Sequence, residues 1–143
     1  MTPQKLKKEQ LADVAELEKT NFSEPWSEDA LTLLMTDQAV GYCISDGDRV
    51  VAYGSLLYAP DEGQILNLAV DAAYRQKGYG SAILSALEAD VRAHGAKALF
   101  LEVRASNLPA IRLYKKSGFA MVGRRPDFYR APIEDALIMK KDL

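Results

Sequence analysis

Two side chains of this sequence could manage proton transfer. Glu102 interrupts an apolar run (Ala98, Leu99, Phe100, Leu101, Val103) near its C-terminal end, and Tyr114 follows in a segment whose Ile111, Tyr114 and Gly118 would share one side of a helix. Sheets flanked by helices place their ligands at the carboxyl ends of strands, and partial desolvation moves carboxyl groups toward the working range of a general base. A phenol is a weak free acid at neutral pH, yet it can protonate a thiolate held against it. Each residue also has a plainer reading. Glu102 could pair with Arg104, two residues on and on the same face of a strand. Tyr114 could be a core tyrosine with a satisfied hydroxyl.

The stretch Arg75-Gln76-Lys77-Gly78-Tyr79-Gly80-Ser81 adds a third element of chemistry. It lies between the apolar run Ile65 to Val70 and the helical pattern Ala82 to Ala89. Two glycines at a helix start let backbone N–H groups approach a ligand, and the helix dipole, Arg75 and Lys77 favour an anion there. A phosphate or pyrophosphate fits. A P-loop is excluded, because no Gly-Lys pair precedes Ser81. A dinucleotide fingerprint fits poorly: Ile83 stands where its third glycine belongs, and Gly78 comes eight residues after Val70 rather than in the first turn. A glycine loop that binds nothing remains the bland alternative.

The remaining motif, Arg-x-x-Gly-x-Gly, resembles the pyrophosphate loop with which GNAT acetyltransferases hold coenzyme A. The segment Leu101 to Phe119 resembles a second GNAT signature, with Leu-Glu-Val-Arg-Ala-Ser-Asn, Leu113-Tyr114 and a Gly118-Phe119 exit. Together with Pro25-Trp26-Ser27, Arg124-Arg125 and Glu134-Asp135-Ala136, it is similar to the bacterial ribosomal-protein-alanine N-acetyltransferases, the RimI group. The resemblance runs from about Asn21 to Met139.

This resemblance implies an α/β fold: a mixed, mostly antiparallel central sheet flanked by helices, with a splayed pair of strands at the acyl-CoA site. It implies an acetyl-CoA-dependent N-acetyltransferase whose acceptor is the N-terminal α-amine, an alanine, of a ribosomal protein or similar peptide. Glu102 would be the general base and Tyr114 the general acid. Acetyl-CoA, the co-substrate, would be held by Leu68, Ala69, Val70, the loop Arg75, Gln76, Lys77, Gly78, Tyr79, Gly80 and Ser81, and Asn107. Backbone N–H groups of Leu68 to Val70 would also stabilise the oxyanion. Trp26, Asp127 and Tyr129 would line the acceptor groove, although Trp26 could equally be core and Asn107 a helix cap. The chain departs from the family pattern where Pro126-Asp127-Phe128-Tyr129 replaces a Tyr-Tyr pair and where no glycine precedes Glu134, which bears on the acceptor rather than on catalysis. Two alternatives stay open: a GNAT enzyme acting on lysines or a small amine, and a non-catalytic acyl-CoA-binding module.

At 143 residues the chain is expected to form one domain spanning 1–143. The polar, lysine-rich start and the lack of a long apolar run argue for a cytoplasmic protein without membrane contact. Cys43 is the only cysteine, which suits a reducing compartment, and with a single histidine, His94, it cannot build a usual zinc site, so no metal is expected. His94 before Gly95 reads as a helix terminus. A net charge of −2 argues against nucleic acid as a partner.

The element pattern is two helices (about Lys8 to Thr20, and from a Ser27 cap to about Asp37), then strands Gly41 to Ser45 and Arg49 to Tyr58 around an Asp-Gly turn. A strand Gln64 to Val70, a helix Gly80 to His94, a strand Lys97 to Arg104 and a short helix from Pro109 to Gly118 follow. Strands Phe119 to Arg125 and Ile133 to Lys140 close the chain around a loop containing Pro126 and Pro132.

Overall fold

A computed structural model describes residues 1–143. Seven strands form one sheet: β1 (Gln4–Lys5), β2 (Ala39–Asp46), β3 (Arg49–Ala59), β4 (Glu62–Val70), β5 (Ala98–Arg104), β6 (Ala120–Arg130) and β7 (Ile133–Asp142). Their spatial order is β1-β2-β3-β4-β5-β7-β6, and every neighbouring pair is antiparallel except β4 and β5. Four α-helices complete the chain: α1 (Leu11–Asn21), α2 (Glu28–Leu31), α3 (Tyr79–Ala93) and α4 (Leu108–Lys116).

The sheet separates two apolar layers. Helices α3 and α4 bury Ile83, Leu87, Ile111 and Tyr114 against Ile44, Leu56, Leu101 and Met139 on one face. On the other, α1 and α2 bury Leu11, Val14, Leu17 and Leu31 against Cys43, Val50 and Tyr53. Each fully buried Leu or Ile contributes about 1.5–3 kcal/mol relative to exposure. Strand β5 shows how alternation partitions side chains. Leu99, Leu101 and Val103 are buried beneath α3 and α4, so Phe100, Glu102 and Arg104 point to the opposite face.

Pairing between β4 and β5 stops early. It runs only from Glu62 opposite Ala98 to Ile65 opposite Leu101, although both strands continue. Immediately beyond, β4 carries a β-bulge. Gly54 faces Leu68 and Leu56 faces Ile65, so Leu66 and Asn67 together oppose Ser55. A bulge bends its strand and increases its twist, which carries β4 away from β5 and opens the sheet between them. This is the splayed pair expected from the sequence.

The caps agree with the sequence reading. Ser27 accepts the Ala30 N–H at 3.1 Å, Asn107 accepts the Ala110 N–H at 3.3 Å, and His94 closes α3 before Gly95 at φ +85°. Four elements differ. The first helix opens as a 3-10 turn over Lys8–Gln10, and the second continues beyond Leu31 as a 3-10 turn to Met35. The short edge strand β1 goes unannounced, since two residues carry no periodicity. Pro126 does not end a strand either, because β6 runs through it to Arg130. β6 is an edge strand with a register break between Arg125 and Tyr129, and edges and bulges are where a strand tolerates proline.

Candidate active site

A cleft of about 400 Å³ opens where β4 and β5 part. Glu102, Tyr114, Asn107, Leu68, Trp26 and Tyr129 all contribute to its walls. Glu102 leaves β5 on one face of the sheet and Tyr114 belongs to the helical layer on the other. They reach one cavity because the sheet is open between them.

Glu102 has few partners. Its Oε1 is 3.5 Å from the Gln64 amide, and its Oε2 is buried without a hydrogen bond. Arg125 reaches across β7 and brings Nε to 3.6 Å from Oε2, a long ion pair whose arginine side chain is 60% exposed. Arg104 does not pair with Glu102. Its guanidinium instead bonds Glu134 Oε1 at 3.3 Å, the Pro132 carbonyl at 2.9 Å and the Ser23 hydroxyl at 3.0 Å, and it lies 4.3 Å from the Tyr129 ring centroid. Arg104 is therefore not the partner of Glu102, and the ion pair Glu102 does make is the long one with Arg125 of β6.

Tyr114 is 7% exposed and packs edge-on against Phe119 with centroids 5.9 Å apart. Burial, and secondarily the nearby Tyr129, push its phenol well above the usual range, so it stays protonated. It is both a core residue and a cleft residue. Tyr129 is half-buried, and burial together with the charge of Glu102 pushes its phenol up to about 12.

Backbone donors line the opening. The Asp71 N–H bonds the Val51 carbonyl at 2.8 Å. By the alternation of an antiparallel ladder, Ala69 also faces β3 while the N–H groups of Leu68 and Val70 face the gap. Of the three residues expected there, Leu68 and Val70 offer free donors, and Ala69 is buried in the α1 layer. Farther along, Gly78 caps α3 at φ +83°, and the first helical bond runs from the Ala82 N–H to Gly78 O. The N–H groups of Tyr79, Gly80 and Ser81 thus have no intrahelical acceptor. Gly80 has a second role: a Cβ there would lie 3.0 Å from Leu113 Cδ2, so its smallness lets α3 and α4 close. Arg75 turns away from the helix start, donating to Asn21 Oδ1 at 2.8 Å and to the Val70 carbonyl at 3.2 Å. Lys77 sits 5.6 Å from the Tyr74 ring centroid.

The rim is formed by the Phe22–Trp26 loop in contact with the end of β5 and the β6–β7 hairpin. Besides the Arg104–Ser23 bond, the Arg130 N–H donates to Glu24 Oε1 at 3.1 Å. Asp127 lies outside the cleft walls, at φ +50° with its N–H bonded to Asp135. Gln64 and Asn67 line the cleft without having been singled out in the sequence, and Arg104 and Phe128, named there in other connections, line it as well. The bulges on β4 and β6 set the direction of Asn67 and Phe128, whereas Gln64 and Arg104 follow the regular alternation of their strands.

The sequence model of the Acetyltransferase (GNAT) family matches residues 11–119. The chain belongs to this family. It is 33% identical over 127 residues to the [ribosomal protein bS18]-alanine N-acetyltransferase of Haemophilus ducreyi, covering 87% of this chain and 88% of that one. It is 32% identical over 125 residues to the protein of the same name from Escherichia coli K12, covering 86% and 84%. The crystal structure of the Escherichia coli ribosomal-protein-S18-alanine N-acetyltransferase superposes with a TM-score of 0.89 at 30% identity, over 99% of this chain and 92% of that one. Ard1 from Thermoplasma volcanium gives a TM-score of 0.87 at 27% identity, over 99% and 97%. This GNAT chain is therefore an N-acetyltransferase of the RimI type, on the mixed sheet that its motifs implied.

Proposed function

We propose that this enzyme transfers the acetyl group of acetyl-CoA to the N-terminal α-amine of a peptide, with an alanine-first ribosomal protein as the acceptor. The observation that carries this reading is Oε2 of Glu102, a buried carboxylate oxygen without a hydrogen bond whose ion pair with Arg125 is long, at 3.6 Å, in a cleft rimmed by the Phe22–Trp26 loop and the β6–β7 hairpin. Buried polar atoms normally have partners, and an incoming ammonium would supply one. In this reading Glu102 takes a proton from the amine, and the nitrogen attacks the thioester carbon. The oxyanion is held by the N–H groups of Leu68 and Val70. The C–N bond is then complete, the C–S bond breaks, Tyr114 gives its proton to the departing thiolate, and the second proton shed by the nitrogen restores the phenol while Glu102 releases its own to solvent. The bridged rim favours a chain end over a lysine in mid-chain, which would have to bring in two flanking strands of peptide.

The diphosphate of acetyl-CoA suits the start of α3, where three N–H groups lack acceptors and Gly78 holds the left-handed turn. Gly78→Ala strains that turn by about 1–2 kcal/mol without a clash, since no atom lies within 4 Å of its missing Cβ. Titration calorimetry is expected to show acetyl-CoA bound about tenfold more weakly with the fold intact. Unchanged affinity would remove the loop from the cofactor site.

Acceptor choice is tested with peptides. Besides Glu102, Glu24 is the acidic residue on the cleft wall, and an exposed pair with a basic second residue contributes only about 0–1 kcal/mol. Ala-Arg peptides should outperform Ala-Glu peptides modestly, and the difference should shrink with salt. Mass spectrometry should find no acetylation once the α-amine is blocked, even where lysines remain. Efficient reaction of a blocked, lysine-containing peptide would overturn this reading in favour of a lysine acceptor.

A further inference from the structure

Glu18 is a charged residue inside the molecule that the chemistry above does not use. It lies on α1 and is fully buried, 0% exposed. Its carboxylate has three protein donors from three different segments. Oε1 accepts the Trp26 backbone N–H at 2.9 Å. Oε2 accepts the Asn67 amide at 2.8 Å and the hydroxyl of Tyr53, itself buried on β3. Two of these donors belong to cleft walls. Trp26 stands on the loop that forms one side of the rim, and Asn67 is half of the bulge that turns β4 away from β5.

We propose that Glu18 is a positioning residue for the acceptor pocket, locking the Trp26 wall and the β4 bulge into one geometry through its two carboxylate oxygens. A buried carboxylate is costly unless its oxygens are satisfied, and here the donors that satisfy it are those that fix the site. A purely apolar contact between α1 and the sheet would tolerate sliding of the loop. Bonds from one rigid group to both walls do not. The loop Phe22–Trp26 contains no regular secondary structure between α1 and α2, and the Trp26 N–H to Glu18 bond fixes its far end to the interior alongside the packing of Phe22 and Trp26 on the α1 layer. The proposal rests on reading this cleft as the acceptor site, and one of its readouts is independent of that reading.

Trp26 is the only tryptophan, so intrinsic emission reports the wall directly. Glu18→Met keeps the side chain's length and removes both acceptors. It is expected to shift Trp26 emission to the red, to increase acrylamide quenching, and to raise KM for an Ala-first peptide about tenfold, with the Kd for acetyl-CoA changed less than threefold. Glu18→Gln should restore most of both properties, because Asn67 can turn its amide and Tyr53 can accept a hydrogen bond. Val91→Ala, a core truncation at the far end of α3, is the stability control and should lower Tm with emission and KM unmoved. If Glu18→Met does not fold, Asn67→Ala removes the β4 end of the bridge and should still raise KM severalfold. The proposal is overturned if Glu18→Met loses stability with wild-type emission and KM, if Val91→Ala mimics it, or if Asn67→Ala leaves KM unchanged. An emission shift in Glu18→Met from a wild type that acetylates no peptide would uphold the positioning role and overturn the acceptor assignment alone.

Discussion

Glu102→Gln is expected to reduce kcat at neutral pH by about 10²-fold or more, the usual magnitude for a positioned general base. The substitution is close to isosteric, and the partners it alters, Gln64 at 3.5 Å and Arg125 at 3.6 Å, are both long contacts, so the fold should survive. The pH profile separates a chemical role from a binding one. An α-amine has a pKa near 7.7–8.0, so roughly a tenth of it is neutral at pH 7. Without a base the variant depends on that fraction. Its rate should climb up to about tenfold between pH 7 and 9, while the wild type changes less. Circular dichroism would check the fold and steady-state kinetics the rate. A near-wild-type kcat at pH 7 would assign catalysis to substrate positioning alone.

Tyr114→Phe is expected to lower kcat by about 10²-fold with little change in acetyl-CoA affinity or Tm. The ring makes the core contact with Phe119 and is retained, and only the hydroxyl on the cleft side is lost. The raised phenol pKa sets the sign of its pH dependence. The proton is present throughout the working range, so removing the hydroxyl should lower the plateau of the profile without moving a limb of it below about pH 10. If the thiolate leaves unaided, the variant will turn over at the wild-type rate and Tyr114 is left as a packing residue. The Tyr129 phenol, also protonated, is the neighbouring donor that could replace it, and Tyr114→Phe combined with Tyr129→Phe would reveal such substitution.

Much of this site was readable in the chain. Glycines, caps and the alternation of β5 follow from local backbone and side-chain physics, so the helix start near Gly80, the terminus at Gly95 and the placement of Glu102 on the face opposite Leu101 and Val103 needed no tertiary information. The motifs around them specified the family and hence the mixed sheet. Asp127 shows the limit: it sits in the expected loop by sequence, yet a register break between Arg125 and Tyr129 turns Phe128 and Tyr129 toward the cleft and leaves Asp127 bonded to Asp135.

What the sequence determined by itself was the set of reacting groups, since residue type and spacing along one element are local properties. Their meeting was decided by the tertiary structure. Glu102 and Tyr114 start on opposite faces of the sheet, and only the bulge at Leu66 and Asn67 opens the gap through which both reach one cavity. Arg104 was free to choose between Glu102 and Glu134 until β7 and the rim loops fixed its partners. Nothing in the sequence singles out Glu18, because a buried carboxylate is recognised by donors from Trp26, Tyr53 and Asn67, and contacts so distant in sequence leave no pattern along the chain.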